Sequence, residues 1–276
     1  MTAPEAAKTT EGQICNDIVA LLARQKQEIV TPALNELRAQ LQHIYNGKSN
    51  KDIAACQIGL ALAALGLGDH QEARRLFDNV LKIAGGDEFV VINTLVGFAN
   101  IGDLERAHAY ALECQTKFTG LPSVLERVNS VLEDTLDFAT AADCISHRLK
   151  IGDPTHPEQK LLGRVELLRR LTVQAEHLGY SPADLRARAQ YVSTTLQARG
   201  RKIYWLNLRG NGVNSVSLEM YVDASPEVCA ELNYDVAEAL FDKFGDRTGG
   251  ELVPISIRSY VGHADADLHL TQAVNA

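Results

Sequence analysis

Paired cysteines are missing from this chain. Cys15, Cys56, Cys114, Cys144 and Cys229 form an odd set with no close pair and no Cys-x-x-Cys. Neither a zinc ribbon nor a disulfide framework is suggested, and a reduced, cytoplasmic compartment is the simplest expectation. Long hydrophobic runs are missing too: no window approaches 18 uninterrupted apolar residues, so no membrane span is expected. The polar stretch from Met1 to Gly12 lacks the apolar core of a signal peptide. There is no Gly-x-Ser-x-Gly, no phosphate-loop pattern and no His-Glu-x-x-His. A non-catalytic role is therefore expected, with no cofactor. Positive charge is in the minority, 27 Lys and Arg against 35 Asp and Glu. The resulting net charge of −8 argues against a generally nucleic-acid-seeking surface but leaves local patches open.

What is present is a recurring turn. Gly68-Asp69-His70-Gln71-Glu72-Ala73 returns as Gly102-Asp103-Leu104-Glu105-Arg106-Ala107, 34 residues later. A weaker copy stands in register at Asp137-Phe138-Ala139-Thr140-Ala141, with Leu136 in place of the glycine. Each copy reads as a tight turn between two antiparallel helices, with the small residue packing the second helix on the first. A Gly-Asp turn and a small residue at this period resemble the tetratricopeptide repeat. The resemblance is specific over about 52–118 and weaker over 119–150.

The helical hairpins expected from apolar spacing are Asp52–Leu67 with Gln71–Ala84, Glu88–Asn100 with Leu104–Phe118, and Val124–Leu136 with Phe138–Leu149. Before them, Gln13–Ile29 reads as a helix, and Thr31-Pro32 reads as a restart into a second one. After them come a helix through Leu161–Leu171 and another opened by the Ser181-Pro182 start signal and closed at Gly200. Residues 1–11 are expected to be a disordered tail and 12–199 a mostly α, tetratricopeptide-like α-solenoid.

Beyond Gly200 the period falls from 3.6 to 2. Ile203–Leu208 and Val216–Val222 read as strands around the Asn211-Gly212 hairpin signal. In the second strand Ser217, Glu219, Tyr221 and Asp223 alternate with apolar residues, which predicts one wet face. Ser225-Pro226 opens a helix, and Val253–Ile257 is a third strand in which Pro254 points to an edge or a bulge. The expected second domain, 200–262, is thus a small ββαβ α+β unit, with 263–276 a tail.

Three candidate sites follow. In the tetratricopeptide family the first helix of each repeat lines a peptide-binding concave face. That resemblance implies a groove of Ile58, Leu62 and Leu65, then Ile92, Val96 and Ala99, then Glu126, Ser130, Glu133 and Asp134. It implies a protein or peptide partner, unless the chain's own helices fill the groove. The second candidate is the segment 160–209, which holds ten basic and three acidic residues. Arg164, Arg169, Arg170, Arg186, Arg188, Arg199, Arg201 and Lys202 could form a basic surface. The simplest reading is an internal or subunit seam against acidic residues of the Ser225 helix, with an acidic partner or nucleic acid as alternatives. Homo-oligomerisation through the α+β unit is open. The third is His263-Ala264-Asp265-Ala266-Asp267-Leu268-His269, whose alternating ligand types admit a metal-dependent enzyme, although a plain tail explains them more cheaply.

Overall fold

The computed structural model describes residues 9–24, 27–47, 51–152, 156–177, 179–210, 216–245 and 255–260. Among these the chain is mostly helical, with one small sheet. It divides into two compact units, one comprising the described residues up to Ile101 and the other beginning at Gly102. The expected boundary near residue 200 lies inside the second unit. The observed division falls within the second expected hairpin.

The first unit contains α1 (Thr10–Arg24), α2 (Gln27–Gly47), α3 (Ile53–Gly66), α4 (His70–Ala84) and α5 (Glu88–Ile101). Pro32 does not restart a helix: it sits inside α2, which is already helical from Gln27. One proline in the second turn removes a single ladder bond, and burial of Leu34 and Leu41 anchors the helix beyond it. Helix α3 is the centre of this unit. It packs against α1, α2, α4 and α5, and every residue from Ala55 to Leu65 is buried. Its composition explains this, because a helix that is apolar all round must be covered all round. Close approach depends on Gly59, where a Cβ would stand 2.5 Å from Leu41 Cδ1 and 2.7 Å from Cys15 Sγ. Asp52 and Asp69 cap α3 and α4 by accepting from the N–H groups of Ala55 and Glu72. The inner face of α4 buries Ala73, Leu76, Phe77 and Val80, and Phe77 meets Phe98 edge-on with centroids 5.9 Å apart.

The second unit contains α6 (Leu104–Lys117), α7 (Pro122–Asp134), α8 (Phe138–Lys150), α9 (Glu158–His177) and α10 (Pro182–Ala198), then β1 (Ile203–Gly210), β2 (Val216–Val222), α11 (Pro226–Phe244) and β3 (Ile255–Ser259). Helices α6 to α9 pack each on the next, α10 returns to α6, and β1 lies against α7 and α10. The turn at Leu136 has the geometry of the glycine turn at Gly68. Backbone φ is +61° at Leu136 and +81° at Gly68. The following Asp N–H bonds the carbonyl five residues back, at 2.9 Å in both cases. A non-glycine residue in this region costs about 1–3 kcal/mol. Complete burial of the Leu136 side chain offsets that cost.

The sheet order is β1-β2-β3, with β1 antiparallel and β3 parallel to β2. Helix α11 makes the β2-to-β3 crossover and packs on β3 and α10. The expected wet face of β2 is not found. Glu219 and Tyr221 are each only 2% exposed. The Tyr221 hydroxyl donates to Glu219 Oε2 at 2.9 Å, and Arg258 Nε donates to Glu219 Oε1 at 3.2 Å. A central strand packed on both faces buries its polar positions too, so they bond one another. Pro254 lies outside the described residues.

Candidate functional site

The groove inferred from the repeat resemblance is closed over at its apolar end. Ile58, Leu62, Leu65, Ile92, Val96 and Ala99 are all buried, the most exposed being Val96 at 8%. Around α3 the cover is the chain's own α1, α2, α4 and α5. These residues are core of the first unit, and no side chain among them is free to meet a partner. In the second unit Glu133 is buried and chelated by the Arg164 guanidinium, whose Nε and Nη2 both donate to it. Asn129 Nδ2 donates to the same carboxylate at 3.0 Å. Glu126 faces His156 Nε2 at 3.8 Å, and Ser130 donates to the Glu126 carbonyl. Burial first, and then the Glu133 charge, push the Asp134 carboxyl well above the usual range, against the pull of Arg164.

The arginines do not gather on one surface. Arg186 is buried and donates to Glu105 at 2.9 Å. Arg199 pairs with Asp235 of α11, an acid the sequence had offered for an internal seam. Arg201 donates to the Asp223 carbonyl, and the Lys202 N–H to the Asp223 carboxylate. Burial lowers the Lys202 ammonium to about 8, against the Asp223 charge. Arg188 lies over the rings of Phe244 and Tyr180, 4.5 and 5.4 Å from their centroids. Arg169 and Arg170 are exposed on α9. Five of the eight predicted basic side chains, those of Arg164, Arg186, Arg188, Arg199 and Arg201, are thus engaged within the second unit by a carboxylate, carbonyl or ring.

Helix α10 also supplies a cap that sequence reading missed. Asp103, at the expected N-cap of α6, makes no capping bond with its side chain. Gln190 Oε1 takes that role, accepting from the N–H of Leu104 at 2.7 Å and of Glu105 at 3.4 Å. Ser193 Oγ and Gln190 Nε2 donate to the Gly102 carbonyl. At Gly102, where φ is +79°, a Cβ would stand 2.2 Å from Ser193 Oγ. The second repeat turn is therefore a docking surface for α10.

An open cavity is found elsewhere, in the first unit. A cavity of about 280 Å³ has α3 as its floor and α2 and α4 as its walls. Arg38, Gln42, Tyr45 and Asn46 come from α2, and Glu72, Arg75, Leu76 and Asn79 from α4. Each set falls on one helical face, at spacings of three and four. Gln57 and Leu60 form the floor. Gln57 is 6% exposed, and its Oε1 has no hydrogen-bond partner among the described residues. Among the described residues its Nε2 reaches only the Tyr45 hydroxyl, at 3.4 Å. That hydroxyl can serve one end of the amide, so one polar atom stays unmatched whichever way the amide is turned. Lys51 holds Tyr45 from behind, donating to its carbonyl and lying 4.7 Å over its ring. Arg75 donates twice to Glu72, at 2.7 Å in each bond. These bonds first, with Arg38 adding to them, hold the Glu72 carboxyl below its usual range.

This site could have been noticed in the sequence. Gln57 is the one strongly polar side chain in the apolar run Ile53–Leu67, and Arg38, Gln42, Tyr45 and Asn46 share one face of a helix. All five cysteines are buried. Burial drives the Cys15 and Cys144 thiols up to about 12 and that of Cys114 to about 11, which makes them inert at neutral pH. The run His263–His269 lies outside the described residues. Among the described residues no cluster of three or more His, Cys, Asp or Glu side chains could hold a metal ion, and no helix is long and apolar enough to cross a membrane. No known protein family, curated protein or solved structure matches this chain.

Proposed function

We propose that this chain is a non-catalytic binding module, an adaptor or regulatory subunit, that holds a polar partner segment in the groove between α2 and α4. The observation that carries this reading is the Gln57 amide: a nine-tenths buried polar group whose oxygen has no partner among the described residues, lining the floor of an open cavity. An unmatched buried acceptor costs about 1–3 kcal/mol. Retaining one is understandable where a bound molecule supplies the missing donor. The helical-repeat, tetratricopeptide-like reading is supported by positive φ at residues 68, 102 and 136, spaced 34 apart. In this proposal the repeats provide rigid walls, which reduces the ordering cost of capture. The binding face is the α2–α4 groove, because the apolar residues expected to line the family's concave face are buried.

The test is a groove-filling variant with a neighbouring control. Asn79→Trp places an indole in the groove, while Ile83→Ala alters an exposed residue one turn further along α4. A protein that co-purifies with the wild type and with Ile83→Ala, and is lost from a folded Asn79→Trp, supports the groove. Equal retention by all three refutes it.

A further inference from the structure

We infer that the groove takes an extended peptide, laying its main chain along the side-chain amides and setting an acidic side chain against Arg38. This rests on the preceding reading that the groove is a binding site. The charges indicate the acidic group. Both oxygens of Glu72 are taken by Arg75, so this pair is internally compensated. Arg38 is then the surplus charge of the lining, close enough to Glu72 to influence its ionisation. A carboxylate matches the planar donor fork of a guanidinium.

The amides indicate a main chain. A carboxamide carries both donors and an acceptor, as does a peptide group. Gln42, Asn46, Asn79 and Gln57 line one cavity. Gln42 and Asn46 are one helical step of four residues apart, about 6 Å along the axis. An extended chain repeats its main-chain groups on one side every two residues, about 7 Å, which is nearly the same interval. From Arg38 to Asn46 the wall runs about 12 Å, the length of three or four extended residues. Gln57 Oε1 then accepts from a main-chain N–H, which matches it. The openness of the groove favours a chain over a small solute: a small polar molecule gains affinity chiefly by being enclosed, whereas a chain can run out of both ends of an open channel.

The experiment uses random seven-residue peptides displayed between folded flanks, so that neither terminus is free, selected on the full chain. Hits are then measured by fluorescence anisotropy as N-acetylated, C-amidated peptides. The expected hits carry Asp or Glu at one constant position. Changing that residue to Asn or Gln weakens binding to the wild type about tenfold, as loss of a charged hydrogen bond does. The same change has little effect on Arg38→Ala, and Gln57→Leu weakens every hit. Hits without a fixed acid, or hits indifferent to Arg38→Ala, overturn the inference. If no peptide binds, NMR titration with free amino acids, sugars and nucleotides separates the two failures. Movement of the Gln57 and Asn79 side-chain amide signals sinks the peptide assignment and leaves the binding site standing. Signals that no solute moves sink both.

Discussion

Replacing Gln57 by leucine is expected to stabilise the free protein while weakening binding. Leucine is of similar size and introduces no polar atom. Among the described residues the native amide has an oxygen with no partner and a nitrogen whose one hydrogen bond is a 3.4 Å approach to Tyr45, at the long limit of a hydrogen bond. Removing the unmatched oxygen recovers about 1–3 kcal/mol. Losing so long a bond and imperfectly filling the amide's shape cost part of that. The net expectation is a gain of about 1 kcal/mol. For a cooperative unit of about 100 residues this raises the midpoint by about 4–8 °C. Urea denaturation followed by circular dichroism measures it: the midpoint concentration should rise with the slope unchanged. A loss of more than about 1 kcal/mol would refute the reasoning. It would mean that the Gln57 oxygen has a buried partner in the free protein and is not held ready for a ligand.

Three further outcomes are expected. Gly102→Ala should cost about 1–3 kcal/mol from its left-handed backbone alone, with more from the approach of Ser193. Gly120→Ala, where an added Cβ meets nothing within 4 Å, should stay within about 0.5 kcal/mol. Equal effects of the two in the same denaturation assay would deny both the left-handed backbone at Gly102 and the close approach of Ser193. Asp134→Asn tests the raised carboxyl. A folded pKa above the unfolded value of about 3.9 means the folded state binds the extra proton, so stability falls as pH rises through that window. The asparagine variant should be the more stable one at pH 7.5 and lose its advantage near pH 4; the reverse order would show that Arg164 requires the Asp134 charge. Finally, a thiol reagent at pH 8 should label the five buried cysteines only as fast as the protein opens. Rapid stoichiometric labelling of the native chain would contradict their burial.

Much of the fold was legible because it is written locally. Helices end where glycine or a buried leucine accepts a positive φ, and Asp69 and Asp137, which follow two of these turns, cap the next helix. Turn positions 68, 102 and 136 could therefore be found by spacing, even though Leu136 breaks the glycine pattern. The order strand, strand, helix, strand followed from the change of period and from Ser225-Pro226. The site was less legible. The positions expected to line a groove were selected for being apolar, and apolar residues satisfy a covered core equally well.

Taken alone, the chain of residues determined which segments are helix or strand, where they turn, and that α3 is apolar on every side. Those properties depend on neighbours one to five positions away. Tertiary structure alone decided what covers each face. It packed α1, α2, α4 and α5 around α3, turned Glu219 and Tyr221 inward to bond each other, and brought Gln190 from 86 residues away to cap Leu104. It also left one amide, Gln57, facing a groove assembled from three helices. Contacts between distant segments depend on how whole surfaces fit, and no local pattern carries that information.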